Sequence, residues 1–595
     1  MICRSSWRAP AMLAGALALP LALAGCGGGG SGPGPARTTG SYLSTAGAAR
    51  VAVTVDPNGR LTVLAQDAGQ LAAAGGAQGN AASGGQFSAQ SGDATVQVSG
   101  TLTGATASGV VRKAGQVVLT FTADRVAPAS ATPSDLRGSY AGSSGPDSVY
   151  LSVDDTSHAT LWATVGAKVG GGLVNVAADG TLRSDSGDTI ARLVRNGSAY
   201  SIAISTLAGQ AASATIPLNA VARARWTVLV FLNAANDLQE FAALNVNQME
   251  QVGSTKDVNI VVQWKQAACA NCGNPSWTGT RRYYVTKDSN TGAVSSALIQ
   301  NLGANVDMGS WQVLRDFVAW GQQNYPAEHY AIVIWNHGAG WRPTRAGRDR
   351  LPASFPRSVS IDEQTRNEIQ IWQLPQALNV TPKLDMVVFD ASLMQMTEVG
   401  YEIRNSASLM VGSEESPPGE GYVYNAFLAD LAASPTMSAP AFARAIVDRT
   451  LEAYGPGGNN TQSAVDLSRM GAVATALGRF AGALQAHLAD SRAVMVSARR
   501  TAESYAYPDN KDLWDYASIV AAGTPSTDLR SAAAAVQSSV EAAVLVERHG
   551  SLNAGSHGLA IYVPEPASYL SSYANLALAR ATDWDGWLQS QPPAP

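Results

Sequence analysis

Charge is scarce in this sequence, because charged residues make up 14% of its 595 residues and hydrophobic residues make up 46%. The formal net charge is −5, so the chain lacks the basic excess that is typical of proteins that bind nucleic acid. No lysine-rich patch marks a surface for an anionic membrane. Nucleic acid and the surface of an anionic membrane are therefore not expected as partners. The length leaves room for about three or four domains.

The apolar run at residues 11–24 is too short to be a good transmembrane helix. It follows two basic residues, Arg4 and Arg8, as in an export signal. The run ends at Cys26 in the letters LAGC, which resemble the lipobox of bacterial lipoproteins, where the cysteine carries the lipid. We predict a lipoprotein signal peptide over residues 1–26; the alternative is an ordinary secretory signal with a coincidental cysteine.

Residues 27–39 are rich in Gly, Pro and Ser and are predicted to be a flexible linker. The residue after the lipidated cysteine would be Gly27 rather than aspartate, which by resemblance to lipoprotein sorting indicates the outer membrane. The predicted location is therefore the bacterial cell envelope, with contact to the membrane through the N-terminal lipid only.

Cysteine is scarce as well, with four in the chain, and Cys3 and Cys26 both belong to the signal segment. The other two, Cys269 and Cys272, have CxxC spacing, which in an exported protein indicates either a short-loop disulfide or a redox pair. Their loop is polar and lacks thioredoxin-like surroundings, so we predict a disulfide. Zinc would need two further ligands, and none is nearby in the sequence, so we predict no metal site.

Residues 40–127 and 135–222 are predicted to be two related β-rich modules. Gly-Ser-Tyr occurs at residues 40–42 and again at 138–140, and in both places an aspartate follows the tyrosine by 14 residues. Alternating apolar runs around the turn at residues 56–59 indicate a hairpin. No cluster of aromatic or ligating acidic residues stands out, so we favour a spacer or shield over a binding or display module.

From residue 225 to residue 590, short apolar strands alternate with helices. This order predicts an α/β domain with a parallel sheet flanked by helices on both faces, followed by additional C-terminal helices. The strands are predicted at residues 226–232, 258–264, 331–335, 386–389, 408–412 and 558–563. The main helices are predicted at residues 237–252, 311–322, 364–378, 393–404, 437–455, 472–504 and 526–547.

His337 and Ser392 each follow an apolar strand closely, at the sheet edge where ligands of α/β proteins bind. Small residues such as Gly338 beside the histidine let a substrate backbone approach and leave N–H groups free for an oxyanion. A nucleophile at residue 392 would gain from the N-terminus of the helix predicted to begin at Leu393. The alternative is that Asp390 or Ser392 only caps that helix.

A third strand-end loop carries three carboxylates, Glu414, Glu415 and Glu420. Such acids pair well with a basic side chain in a pocket. They are also ligands for a hard cation such as Ca²⁺. The remaining alternative is a solvated acidic loop.

These motifs, in this order, resemble the clostripain family of cysteine peptidases, the C11 peptidases, which have a caspase- and gingipain-like α/β fold. The resemblance covers residues 225–590 and leaves the β-modules outside. Its motifs are Trp226-Thr227-Val228-Leu229-Val230-Phe231-Leu232, Asn236-Asp237-Leu238, Trp335-Asn336-His337-Gly338-Ala339-Gly340-Trp341, Ser360-Ile361-Asp362, Asp390-Ala391-Ser392-Leu393-Met394, Ser413-Glu414-Glu415, Pro418-Gly419-Glu420-Gly421, Asp512-Leu513-Trp514-Asp515-Tyr516 and Gly558-Leu559-Ala560-Ile561-Tyr562.

The resemblance implies a role for several of these positions. His337 matches the catalytic histidine and Ser392 the position of the catalytic cysteine. Asp390 matches the acid at the base of the pocket for an Arg or Lys side chain, and Glu420 stands where another pocket acid is expected. The resemblance also implies calcium dependence and self-cleavage after a basic residue in the loop 342–357.

The departure from the family is the serine at residue 392. A cysteine thiol is partly ionised near neutral pH, whereas a serine needs a hydrogen-bonded base oriented by a third group. Ser392 therefore belongs to a silent relative that binds basic peptides, to a working serine variant that uses His337, or to an inactivated version of a cysteine enzyme. No G-x-S-x-G elbow surrounds it, which argues against a convergent α/β-hydrolase.

We predict a lipoprotein of clostripain type that recognises Arg- or Lys-containing peptides, with catalysis lost or much reduced. One alternative is an active endopeptidase that cleaves after Arg or Lys with Ser392 and His337. The other is a surface adhesion or structural protein in which the β-modules are the functional part.

Overall fold

The computed structural model describes residues 40–44, 50–56, 59–66, 76–81, 86–90, 96–103, 105–113, 116–127, 132, 136–196, 199–220, 224–255, 257–269, 272, 275–342 and 358–593. The predicted signal peptide with Cys26, the linker 27–39 and residues 343–357 of the predicted cleavage loop lie outside these residues. None of the helices in the described ranges is long and apolar enough to span a membrane.

The N-terminal region is rich in β-structure, as predicted, and its described strands form two closed barrels of eight strands each. The first barrel consists of β1 (Gly40–Ser44), β2 (Arg50–Val55), β3 (Arg60–Gln66), β4 (Gly76–Ala81), β5 (Gln86–Gln90), β6 (Val96–Leu102), β7 (Thr106–Lys113) and β8 (Gln116–Arg125). The second consists of β9 (Gly138–Ser144), β10 (Asp147–Val153), β11 (His158–Val165), β12 (Lys168–Val176), β13 (Thr181–Arg183), β14 (Ile190–Asn196), β15 (Ala199–Leu207) and β16 (Gln210–Ala220).

The sequence repeat corresponds to a repeat in strand register. Gly40 and Gly138 each begin the first strand of a barrel, each lies opposite a valine of the second strand, and each has a positive φ, of 134° and 138°. Asp56 and Asp154, which follow those second strands, each accept a hydrogen bond from the backbone N–H four residues later. The positive φ explains why glycine occupies both starts.

The two barrels pack against each other through buried hydroxyl groups. Thr54 Oγ1 lies 2.8 Å from Thr160 Oγ1, and Thr62 Oγ1 lies 2.7 Å from Ser152 Oγ. In the repeat, which is offset by the 98 residues from Gly40 to Gly138, Thr54 is equivalent to Ser152 and Thr62 to Thr160. The second pair therefore repeats the first with the roles of the two barrels exchanged, as in the interface of a twofold dimer.

The C-terminal domain is built on one sheet of nine strands, in the order β20-β19-β18-β17-β21-β24-β25-β26-β28. Its central five strands are parallel, as predicted, whereas β19, β20, β26 and β28 pair antiparallel at the two edges, so the sheet is mixed. The strands are β17 (Ala224–Ala234), β18 (Val258–Gln266), β19 (Gly279–Tyr284), β20 (Ala297–Gly303), β21 (Ala327–Trp335), β24 (Leu384–Asp390), β25 (Ala407–Gly412), β26 (Thr461–Asp466) and β28 (Val544–His549). Two small sheets pair β22 (Val359–Asp362) with β23 (Asn367–Ile369), and β27 (Asn510–Asp512) with β29 (Ala560–Tyr562).

Twelve described α-helices surround this sheet, and some differ from the predicted ones. The prediction at residues 364–378 is wrong in its first part, because the β22–β23 hairpin and a 3₁₀ turn precede a helix that begins only at Leu374. The long helix predicted at residues 472–504 is two helices that meet at His487. The helices are α1 (Gln239–Val252), α2 (Trp311–Asn324), α3 (Leu374–Leu378), α4 (Thr397–Ile403), α5 (Tyr424–Ala433), α6 (Ala439–Tyr454), α7 (Met470–Ala486), α8 (Leu488–Thr501), α9 (Leu513–Gly523), α10 (Thr527–Ala543), α11 (Ala577–Ala581) and α12 (Trp584–Ser590).

The sheet has a buried apolar core on each face. On β17, Leu229 and Phe231 belong to one core, while Val228 and Val230 belong to the other. A strand that is buried on both faces reads as a continuous apolar run, which is why these strands are visible in the sequence. The two layers of helices fix the strands, and with them the loops at their carboxyl ends.

Candidate active site

The candidate residues meet at the carboxyl edge of the parallel strands. The chain leaves β17 for β18 on one side and later returns to β21 on the other, so the strand order reverses at β17. Asp237, His337, Ser392 and Ser416 follow β17, β21, β24 and β25. This is the topological switch point at which α/β proteins bind ligands.

A cavity of about 210 Å³ opens at this edge. It brings together three of the residues predicted from the sequence, His337, Asp390 and Ser392. Its lining consists of Leu238, Trp335, Asn336, His337, Asp390, Ala391, Ser392, Ser416, Pro417, Pro418, Gly419 and Gly421.

His337 and Ser392 have different hydrogen-bond partners. His337 Nε2 lies 2.5 Å from Asp237 Oδ1, and Ser392 Oγ lies 3.0 Å from Ser416 Oγ. In the part of the chain that the structure describes, no hydrogen bond joins the histidine to the serine. The arrangement is thus an imidazole–carboxylate pair beside a serine that is bonded to another serine.

Asp237 contacts His337, although its sequence motif predicted no role for it. The hydrogen bond from His337 lowers the pKa of this carboxyl, so it is ionised at neutral pH. A carboxylate in this position orients an imidazole and selects its tautomer. The sequence feature that could have identified Asp237 is its position shortly after an apolar strand. His337 and Ser392 have the same kind of position.

The turn before His337 is anchored by the buried side chain of Asn336. Its Nδ2 donates to the carbonyl oxygens of Asn233, at 2.5 Å, and Ile361, at 3.1 Å. Its Oδ1 accepts a hydrogen bond of 2.8 Å from the backbone N–H of Ile361. The amide therefore ties the histidine turn to the end of β17 and to β22.

Gly338 contacts the backbone of the serine loop and is not part of the cavity lining described above. A Cβ atom at this residue would lie 2.3 Å from the carbonyl oxygen of Ser392. Glycine is required here because the two strand-end loops approach closely.

Ser392 does not lie at a helix N-terminus, so the predicted helix start at Leu393 is wrong. Helix α4 begins at Thr397, its cap residue is Met396, and no side chain caps it. Leu393 has a φ of 63°, a left-handed conformation that interrupts the chain directly after the serine. Both the expected helix-dipole assistance and the alternative capping role of Asp390 or Ser392 are therefore wrong.

Asp390 forms the floor of the cavity and is 6% exposed. Its Oδ2 accepts hydrogen bonds from the hydroxyl of Tyr424, at 2.8 Å, and from the backbone N–H of Tyr422, at 3.3 Å. Burial raises the pKa of this carboxyl to about 6, against the lowering effect of the Tyr424 hydroxyl. A Cβ atom on Gly421 would lie 2.9 Å from both carboxylate oxygens, so glycine there keeps the carboxylate accessible.

The three carboxylates of the β25 loop point in different directions. Glu414 and Glu415 are buried and accept hydrogen bonds from backbone N–H groups, including those of Gly558 and Ala506. The solvated-loop alternative is therefore wrong for these two residues. Glu420 is exposed and lies outside the cavity lining, so its role as a pocket acid stays a prediction.

The calcium expected from the family resemblance was compared with the donors that are present. Among the described residues, the group of three side chains close enough to share a metal is Cys269, Cys272 and Glu363. Calcium takes six to eight oxygen ligands, and this group offers two sulfur atoms. These donors do not fit calcium, and the two cysteines are joined by a disulfide.

Known proteins are similar to the C-terminal part of this chain. Residues 230–590 match the sequence model of the clostripain family, peptidase C11. Clostripain from Hathewaya histolytica is 26% identical over 130 residues, which span 20% of this chain and 24% of that protein. The match thus covers about a quarter of this curated relative.

Two solved structures resemble the C-terminal domain at low sequence identity. One is a secreted C11 cysteine protease from Bacteroides thetaiotaomicron in complex with an irreversible peptide inhibitor, with 21% identity and a TM-score of 0.45. The other is an inactive zymogen C11 protease from Parabacteroides distasonis, with 18% identity and a TM-score of 0.46. Each alignment covers 61% of this chain and 99% of the other chain.

Proposed function

Because the chain belongs to the clostripain family, whose sequence model matches more than half of it, we propose that it binds peptides or proteins that carry Arg or Lys and has lost most peptidase activity. The observation that carries this proposal is the hydrogen bond between Ser392 and Ser416, which gives the serine hydroxyl a partner that is not a base. A serine hydroxyl without a bonded base is a poor nucleophile. Loss of a nucleophile lowers turnover on the order of thousands-fold or more.

The cavity floor supports the proposed preference for basic side chains. Asp390 is the buried carboxylate of the cavity, and its bonds to Tyr424 and Tyr422 hold it in one orientation. An ammonium or guanidinium group that enters the cavity would form an ion pair with this carboxylate. That ion pair would replace the contacts with water that burial removes. Binding therefore depends on Asp390 and does not require a nucleophile.

The N-terminal sequence supports a location in the bacterial cell envelope. Lipid on Cys26 would anchor the chain in the outer membrane, and residues 27–39 would connect the anchor to the barrels. The proposed partners are peptides or proteins with basic residues, and nucleic acid is not among them.

A working serine peptidase is the second candidate, and a specific observation favours it. His337 already has an orienting carboxylate in Asp237, and Ser392 lines the same cavity. Rotation of the Ser392 hydroxyl from Ser416 toward His337 is then the change that would complete a serine–histidine–aspartate arrangement.

Turnover and binding are measured separately to distinguish the two candidates. A fluorogenic peptide ending in Arg or Lys is incubated with the native chain, with Ser392→Cys and with Ser392→Ala as the matched control. Binding of a Lys peptide is compared with that of the same peptide carrying norleucine. We expect selective binding of the Lys peptide, turnover by Ser392→Cys, and equal background rates for the native chain and Ser392→Ala.

Two results would contradict the proposal. Turnover by the native chain that disappears in Ser392→Ala would establish the working serine peptidase. Equal binding of the Lys and norleucine peptides, together with no turnover by Ser392→Cys, would remove the basic-peptide site itself.

A further inference from the structure

Three side chains of types that bind metals converge near the ends of β17 and β18. The ligand atoms of Cys269, Cys272 and Glu363 all lie within 4.8 Å of one another. Two of them come from the loop after β18 and the third follows β22. We infer that reduction of the Cys269–Cys272 disulfide creates a Cys₂Glu site for a thiophilic divalent cation of the Zn²⁺ type.

The separation between the cysteine and the glutamate suits a tetrahedral ion. Zinc lies about 2.3 Å from sulfur and about 2.0–2.2 Å from a carboxylate oxygen, so neighbouring corners of its tetrahedron are about 3.5 Å apart. Cys269 Sγ and Glu363 Oε2 are separated by 3.6 Å. The backbone N–H of Cys272 donates to the carbonyl oxygen of Cys269 at 3.2 Å.

The surroundings anchor the backbone segments that carry the three ligands. Cys272 is 2% exposed and packs with Ala235 and Ala267. The backbone N–H of Glu363 donates to the carbonyl oxygen of Ala235 at 2.9 Å. Gln239 accepts from the N–H of Ala267 at 2.9 Å and donates to the carbonyl oxygen of Cys272, so the ends of β17 and β18 and the start of α1 all support the site.

The chemistry makes the disulfide and the metal site alternatives. A dithiol reductant gives two electrons and two protons to the disulfide and is itself oxidised to a disulfide, which leaves two thiols at Cys269 and Cys272. Metal binding then releases both thiol protons, because thiolates are the ligands. With three protein ligands, the fourth tetrahedral position is left for water or a further ligand.

The carboxylate gives the metal-bound state an advantage over the free dithiolate. Without a metal, the two thiolates and the Glu363 carboxylate carry a combined charge of −3 and repel one another. A divalent cation removes this repulsion and leaves a net charge of −1 from two thiolates and one carboxylate. Calcium, a hard cation that prefers oxygen, gains little from the two sulfur atoms.

Metal binding is measured on the whole chain in a Cys3→Ser, Cys26→Ser background, so that Cys269 and Cys272 are its only thiols. The protein is reduced with a trialkylphosphine, which is oxidised to its oxide, and is titrated with Zn²⁺ and separately with Co²⁺. We expect one equivalent of Zn²⁺ in the reduced protein and none in the oxidised protein. The Co²⁺ form should show thiolate-to-cobalt charge-transfer absorption with the visible bands of a four-coordinate ion.

Two variants test the assigned ligands, and circular dichroism checks that each one is folded. Cys269→Ala/Cys272→Ala is the matched control and should abolish binding. Glu363→Gln should weaken Zn²⁺ binding at least about tenfold, as losses around metal sites do. Equal affinity in Glu363→Gln, or reduced protein that binds no more Zn²⁺ than the double-alanine control, would overturn the proposal. Neither readout depends on peptide binding, so this test is independent of the proposed function.

Discussion

At the scale of single residues, the site combines groups that suit a peptidase with one that does not. Asp237 and His337 form an oriented imidazole–carboxylate pair, and Asp390 supplies a buried acid at the cavity floor. Ser392 lies in the same cavity, but its hydroxyl bonds to Ser416. Recognition and catalysis are thus assigned to different side chains, and one can persist without the other.

Asp390 should make the binding of basic peptides dependent on pH. Burial raises the pKa of this carboxyl to about 6, so above pH 6 it is mainly ionised and below pH 6 it is mainly neutral. Affinity for a Lys peptide should therefore fall about tenfold per pH unit below pH 6, measured by fluorescence polarisation between pH 4.5 and pH 8. Asp390→Asn should bind weakly at every pH; a native-like pH profile in that variant would show that another group titrates.

Asp237 should support any turnover that His337 carries out. In the Ser392→Cys background, Asp237→Asn removes the negative charge that orients the imidazole, and turnover should fall about 100-fold, the low end of what a positioned acid or base contributes. The measurement is the pH profile of kcat, with Asp237→Glu as the conservative variant that should restore part of it. An unchanged profile in Asp237→Asn would assign the pair to packing alone.

The individual site residues could be predicted from sequence only where the strand pattern marked them. His337, Asp390 and Ser392 each end or follow an apolar strand, and the parallel sheet brings their loops to one cavity. The pairing of His337 with Asp237 joins residues 100 positions apart, and no local pattern specifies which strand ends become neighbours. Glu363 illustrates the same limit, because it approaches the two cysteines only after β18 and β22 are in place.

At the scale of elements, the largest errors arose where loops resemble helices. Residues 393–396 continue an apolar helical pattern, but Leu393 adopts a positive φ and the N–H of Gln395 bonds to Ser413 of the neighbouring loop. Apolar periodicity reports burial and not backbone conformation. The antiparallel edges of the sheet were missed for a related reason, because strand direction is set by the connections and not by the apolar runs.

Strand β22 should depend on the buried ion pair between Lys265 and Asp362, whose side chains are fully buried 2.6 Å apart. Asp362→Ala leaves an unpaired buried charge, so it should lower the free energy of unfolding by about 3–5 kcal/mol. Urea unfolding followed by tryptophan fluorescence measures this loss. Peptide binding should fall with it, because the neighbouring Ile361 holds Asn336.

The matched control for this ion pair removes its charges and keeps a hydrogen-bond acceptor. In Lys265→Met/Asp362→Asn, the single amide oxygen can accept from the backbone N–H of Met308 or from that of Thr365, which donate to different oxygens of Asp362 in the native chain. This variant should recover part of the lost stability. A double variant as unstable as Asp362→Ala would show that packing, and not charge pairing, dominates at this position.

At the scale of the whole molecule, the two barrels, which precede the C-terminal domain in the chain, form a single pseudo-symmetric unit. Their shared surface uses equivalent positions from both repeats, which are buried serines and threonines with a small apolar cluster around Trp162. Buried hydroxyls favour one docking geometry because each must find its partner. This supports the interpretation of the barrels as a rigid spacer or shield.

The seam between the barrels should appear as coupling between residues of different repeats. Thr54→Val leaves the buried Thr160 hydroxyl without its Thr54 partner and should cost about 1–3 kcal/mol. Thr160→Val should cost less, because Thr54 keeps its hydrogen bond to Ser41. The double variant should cost about 1 kcal/mol less than the sum of the two. Unfolding free energies from hydrogen exchange of β2 and β11 measure this coupling.

Thr62→Val with Ser152→Ala should give a similar value, because it is the equivalent pair under the repeat. Thr54→Val with Ser205→Ala, an exposed serine of the second barrel, is the control and should be additive; additivity for Thr54 and Thr160 as well would mean that the barrels do not share this seam.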